Sequence, residues 1–97
     1  MNYLKTVTRI IRQLKPELVR EYNVAHIGLF GSIVRDDFSF EKSDIDIIVD
    51  FSKPVGIEFV DLAEYLERKL SRKVDLVSRK GIKGRYLTEI ESEVVYV

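Results

Sequence analysis

Leu4, Val7, Ile11, Leu14 and Leu18 recur at intervals of three and four residues, the spacing of one helix face. The chain from its start to this point therefore predicts an amphipathic helix, with Asn2 as a candidate cap. Pro16 cannot donate a backbone hydrogen bond and clashes one turn back. The spacing thus predicts a break near Lys15 and a second short helix from Pro16 to about Tyr22. The pattern then changes. Val24 to Phe30 and Ile45 to Phe51 are short, β-branched runs bounded by Gly, Ser, Lys and Pro, and both predict strands. Between them lie a Gly31-Ser32 corner, a helical turn over Ile33 to Asp37 and a loop over Phe38 to Ser43. After a loop from Ser52 to Gly56, Phe59, Leu62, Ala63, Leu66 and Leu70 mark a helix over Ile57 to Leu70. Val74 to Val77 predicts a third strand and Lys80 to Gly84 a loop. Arg85 to about Glu93 predicts a helix with Leu87 and Ile90 inward, and Val94 to Val97 a short terminal strand. The order predicts an α/β fold, a small mixed sheet with helices packed on one face. The other face is then free to carry a site.

Length and composition narrow the picture. A chain of 97 residues is expected to form one domain over 1–97, with a modest core and thin stability. Hydrophobic content of 45% beside 33% charged residues is an ordinary globular balance. No apolar run approaches the roughly 20 residues that span a membrane, and Met1 to Lys5 does not read as a signal peptide. Cysteine is absent, which excludes disulfides and thiolate metal sites and fits a cytoplasmic location. The formal net charge is zero, from 16 basic and 16 acidic side chains. General nucleic-acid binders are usually basic, so no direct nucleic-acid contact is expected. The balance is uneven, however. Arg68 to Arg85 holds eight basic residues and a single acid, Asp75. This stretch reads either as solvated surface or as a positive rim that attracts a polyphosphate.

The candidate chemistry lies between and after the first two strands. Asp44 and Asp46 stand one residue apart at the start of the second strand. Alternation places them on one face, roughly 7 Å apart, while Ile45, Ile47 and Val49 face the core. Two like charges there are costly unless a cation sits between them, and a divalent metal is the usual answer. The alternative is a pair of surface carboxylates on an edge strand, for which the strand is too apolar. Asp75, in Val-Asp-Leu-Val, faces away from the core and joins them if the third strand pairs beside the second. Otherwise it is an isolated surface acid. Gly31 lets backbone approach a phosphate closely, and Ser32 can donate its hydroxyl beside it. Arg35 reads as a phosphate ligand or as the partner of Asp36, Asp37 or Asp44. Asp50 shares the face of Asp46 but lies roughly 13 Å along the strand, too far for the same metal. His26 is expected at or near the surface.

Gly31-Ser32, Arg35 and Ser43-Asp44-Ile45-Asp46 before an apolar strand resemble the signature of the polymerase-beta superfamily of nucleotidyltransferases. The likeness runs from about Lys15 to Val97 through Phe59 to Leu70, Lys73 to Val77 and Glu93 to Val97, and it is to the smallest branch, the minimal nucleotidyltransferase or MNT domain. Eleven residues separate Ser32 from Asp44, one more than that family commonly has, and a surface loop tolerates such an addition. The resemblance implies a polymerase-beta-like fold, Mg²⁺ held by Asp44, Asp46 and Asp75, and an ATP triphosphate held by Gly31, Ser32 and Arg35. It implies AMP transfer to a hydroxyl, with Asp75 helping to deprotonate it. It also implies a partner, since such domains are commonly antitoxins that AMPylate a tyrosine of a HEPN-type toxin. So short a chain leaves no second domain for a template, tRNA or drug. The acceptor is therefore expected on another protein chain or in a very open groove, and the expected assembly is a homodimer or a hetero-oligomer with the toxin. Two further readings remain: a module that neutralises its partner by contact alone, and a small-molecule nucleotidyltransferase. Loss of carboxylates would favour the first, and all three are present. The missing acceptor domain argues against the second.

Overall fold

The computed structural model describes residues 3–35 and 37–97. The candidate cap Asn2 and the candidate Arg35 partner Asp36 lie outside the described residues. A helix α1 (Tyr3–Tyr22) leads into strand β1 (Val24–Phe30), a one-turn helix α2 (Ser32–Arg35) and strand β2 (Ile45–Phe51). Helix α3 (Glu58–Leu70) and strand β3 (Val74–Ser78) follow. A 3₁₀ turn (Arg79–Gly81), helix α4 (Gly84–Glu93) and strand β4 (Val95–Tyr96) complete the chain. The strands form one mixed sheet in the order β3-β2-β1-β4. β1 pairs antiparallel with β2 and β4, while β2 and β3 run parallel, joined through α3 as a parallel pair requires.

The α1 helix differs from the expectation. It runs without interruption through Pro16. The amide that Pro16 lacks would have bonded the Arg12 carbonyl, and Pro16 and Arg12 are both exposed, so the missing bond falls on the outer side of the helix and not in the core. Val7, Ile11 and Leu18, buried on either side of the proline, hold both halves to one sheet face. Burying each contributes about 1.5–3 kcal/mol, which together outweigh the roughly 3 kcal/mol that an interior proline costs.

Strand alternation sorts the core. Ile45, Ile47 and Val49 of β2 join Ile27 and Leu29 of β1 under α1 and α3, which contributes Leu62, Tyr65, Leu66 and Leu70. The opposite face is only partly free. Ile90 of α4 is buried there against Phe30 and Ile48, so α4 lies across the face expected to be open. Gly28 makes room for the chain after α4: a Cβ on it would come within 2.7 Å of a Val94 methyl. The site occupies what α4 leaves uncovered, at the end of the sheet where β1 finishes and β2 begins.

Candidate active site

The register of the parallel pair sets Asp46 of β2 beside Asp75 of β3, as alternation and the apolar flanks of both residues require. Asp46 also pairs across β1 with Phe30, the residue before Gly31. Asp44 sits just ahead of β2 and is exposed, as is Asp75, whereas Asp46 is half-buried. Burial pushes the Asp46 carboxyl up to about 6, and the negative charges of Asp75 and then Asp44 push the same way. Arg35 opposes them, and Glu93 adds to the rise.

Gly31 turns the chain off β1 with φ +77°, a conformation that favours glycine. Its Cα faces the Asp46 carboxylate so closely that a Cβ there would lie 2.0 Å from Asp46 Oδ2. The Gly31 carbonyl accepts from the amides of Val34 (3.1 Å) and Arg35 (3.2 Å), which closes α2 and aims Arg35 back across the site. Ser32 opens α2 and is half-buried beside it.

Among the described residues, the principal partner of Arg35 is one the sequence reading did not offer. Arg35 Nη1 donates to both carboxylate oxygens of Glu93, at 3.1 and 3.0 Å, and Asp37 is a distant second at 3.9 Å. Glu93 Oε2 also accepts from the Gly31 amide at 2.8 Å. Thus an acid at the end of α4 holds two of the groups expected to hold phosphate. Sequence reading missed Glu93 as a site residue. The available signal was its place three residues after Ile90, on the inward side of α4.

A cavity of about 420 Å³ opens here, with Gly31, Arg35, Asp46, Tyr86 and Glu93 in its wall and Phe30 at its base. Asp44, Asp46 and Asp75 gather at one end of the sheet, yet among the described residues no three such side chains close into a ready-made metal cage. Their all-oxygen chemistry suits a hard divalent cation, and a cation would relieve the repulsion that raises Asp46.

The basic stretch is spread over the molecule: Lys73 directly precedes β3, its carbonyl accepting from the Ile45 amide at 3.0 Å at the end where the acids gather. Arg72 lies against the rings of Phe38 and Phe40, and Arg79 is paired to Glu91 at 2.6 Å. Lys80 sits in the 3₁₀ turn that follows β3, and Lys83 precedes α4. That turn follows Ser78, which pairs with Val49 at the far end of β2 from Asp46. The cation in the cavity wall is Arg35. His26 is exposed as expected, and it pairs across β1 and β2 with Asp50 in a second cavity shared with Arg79 and Tyr96. No helix among the described residues is long and apolar enough to cross a membrane.

This sheet, with a glycine turn laid on the first strand acid of a carboxylate cluster, defines the class of the protein. The nucleotidyltransferase domain family model matches residues 11–97, and the chain belongs to that family. Its likeness is to the minimal branch. The protein adenylyltransferase MntA of Thermococcus cleftensis is 41% identical over 95 residues, covering 97% of this chain and 95% of its own. A solved minimal nucleotidyltransferase superposes with a TM-score of 0.78 at 28% identity, covering 98% of this chain and 95% of the other. A toxin–antitoxin crystal structure with AMP-PNP gives a TM-score of 0.71 at 25% identity, covering 87% of this chain and 69% of that one.

Proposed function

We propose that this nucleotidyltransferase moves AMP from ATP to a hydroxyl of another protein, a tyrosine of a HEPN-type toxin, and so acts as its antitoxin in the cytoplasm. The observation that carries the reading is Asp46, flanked by Asp44 and Asp75 and laid against the Gly31 turn. The name of the Thermococcus cleftensis relative, a protein adenylyltransferase, supports the donor and acceptor class. The toxin–antitoxin neighbour with AMP-PNP supports a nucleotide and a toxin partner.

In this reading the acceptor oxygen bonds to the α-phosphorus, the bond to the bridging oxygen breaks, and pyrophosphate leaves. Asp75, exposed in register beside Asp46, takes the acceptor proton. The Gly31 amide, Ser32 and Arg35 bind the departing phosphates. Asp44, Asp46 and Asp75 would hold Mg²⁺, which when bound stabilises charge on the attacking and leaving oxygens. Such a cation also offsets the mutual repulsion of the three acids.

Mass separates this reaction from its rivals. With Mg·ATP and the candidate toxin, the toxin should gain about 329 Da for each AMP, against about 80 Da for a phosphate. Asp44→Ala should abolish the gain. A toxin neutralised equally well by Asp44→Ala, with no added mass, would leave contact inhibition as the function.

A further inference from the structure

We propose that Tyr86 is the stacking platform for the donor's nucleobase, an inference that rests on the nucleotide reading of this cavity. Tyr86, Ile90 and Glu93 fall at i, i+4 and i+7 on α4 and so form one stripe. Two members of that stripe are pinned. Ile90 is 2% exposed against Phe30 and Ile48, and Glu93 is hydrogen-bonded to Gly31 and Arg35. The burial of Ile90, which a triphosphate does not compete for, keeps the helix from rotating away, so Tyr86 stays in the cavity wall it shares with Asp46 and Arg35.

Tyr86 is nevertheless 53% exposed. The other exposed aromatics stand in different surroundings. Phe40 packs with Tyr3, Phe38 and Arg72, and Tyr96 lines the second cavity beside Arg79. Glu93 lies seven positions after Tyr86 on the helix, about 10 Å at 1.5 Å per residue. The cavity therefore has anion donors at one end, the Gly31 amide and the Arg35 guanidinium, and an aromatic face at the other. Phe30 and Ile90 form an apolar floor between them. A ligand with a polyanionic end and a flat aromatic end matches that arrangement, and a nucleoside triphosphate has both. Stacking is tolerant of base identity, so Tyr86 supplies affinity for a base more than choice among bases.

The test separates base from phosphate. Wild type, Tyr86→Ala and Tyr86→Phe are titrated calorimetrically with Mg·ATP and with Mg·tripolyphosphate, which has no base. Tyr86→Ala should bind Mg·ATP about tenfold more weakly, the scale of one lost stacking contact. Tyr86→Phe should match wild type, and all three should bind tripolyphosphate alike. Unchanged ATP affinity in Tyr86→Ala overturns the proposal, and so does an equal loss for both ligands, which marks Tyr86 as a support for α4. Wild type holding ATP no tighter than tripolyphosphate overturns the Tyr86 role while leaving the phosphate cradle standing. Wild type binding neither overturns the nucleotide reading itself.

Discussion

Asp46 and Asp75 sit side by side in register across the parallel pairing of β2 and β3. This places two carboxylates on one side of the sheet, where burial first and the Asp75 charge next raise the Asp46 carboxyl to about 6. The folded state therefore binds a proton that the unfolded state, with the ordinary value of 3.8, has already lost. A carboxyl raised in this way makes the folded protein lose stability as pH rises from about 4 to 6.

Asp46→Asn removes that charge and should stabilise the metal-free protein at pH 7. Discounted for the partial exposure of Asp46, the gain is about 1 kcal/mol, a few degrees in Tm. The same variant should flatten the decline of stability between pH 4 and 6. It should also lose most of the Tm rise that Mg·ATP gives wild type. Thermal melts across pH, with and without Mg·ATP, measure all three. An Asp46→Asn protein that is clearly less stable at pH 7 would make this carboxylate a structural element.

Gly31 and Asp46 are coupled by contact. In Gly31→Ala the new Cβ meets Asp46 Oδ2 at 2.0 Å, at a φ of +77° that strains any L side chain. The strain alone costs about 1–2 kcal/mol. The displaced carboxylate adds to it, and nucleotide binding should fall with it. In an Asp46→Ala background, the penalty of Gly31→Ala should shrink toward the strain alone. Strictly additive losses in that double-mutant cycle would mean that the close approach has no energetic consequence.

Much of this arrangement was legible in the sequence, because it is local. A two-residue alternation sends Asp46 away from Ile45 and Ile47, and the Gly-Ser corner sits directly after a strand. Asp75 needed one further fact, the strand order, which the run Val-Asp-Leu-Val and a helical crossover made a natural expectation. Glu93 was not legible as a site residue. It meets Gly31 across 62 positions, and no short-range pattern encodes a contact of that kind. Nor was the position of α4: Leu87 and Ile90 announce an inward face, but not which sheet face receives it. The basic run from Arg68 to Arg85, which reads either as solvated surface or as a positive rim, is spread by α3, β3 and the 3₁₀ turn, so its neighbours in sequence do not form one patch by virtue of that alone. Pro16 misled because helix propensity is local while Val7, Ile11 and Leu18 anchor α1 from both sides of it.

Pro16 gives a test of that last point. If burial holds the helix together across the proline, Pro16→Ala restores a hydrogen bond to the Arg12 carbonyl and removes a clash without disturbing the core. The gain should be about 1–3 kcal/mol, less roughly 0.4–1 kcal/mol for the freer unfolded chain. Denaturant melts should show a higher midpoint with an unchanged slope. A lower midpoint would show that α1 depends on the proline's fixed geometry.

Glu93 is the residue whose substitution separates a cradle from a plug. Its carboxylate takes the Gly31 amide at 2.8 Å and both of its oxygens meet Arg35. A triphosphate needs the same donors and carries the same sign of charge, so it must displace Glu93 before Gly31 and Arg35 can reach it. Glu93→Gln keeps the shape and one acceptor oxygen but removes the competing charge. Affinity for Mg·ATP and for Mg·tripolyphosphate should therefore rise several-fold, most strongly at low salt, where screening is weakest. Stability should fall only slightly, because solvent screens an exposed ion pair with Arg35. Arg35→Gln should do the reverse and weaken both ligands, having lost the guanidinium that Glu93 occupies. If Glu93→Gln instead weakens both ligands, the carboxylate serves to hold Arg35 in its binding position, and its contact with Gly31 is part of the assembled site.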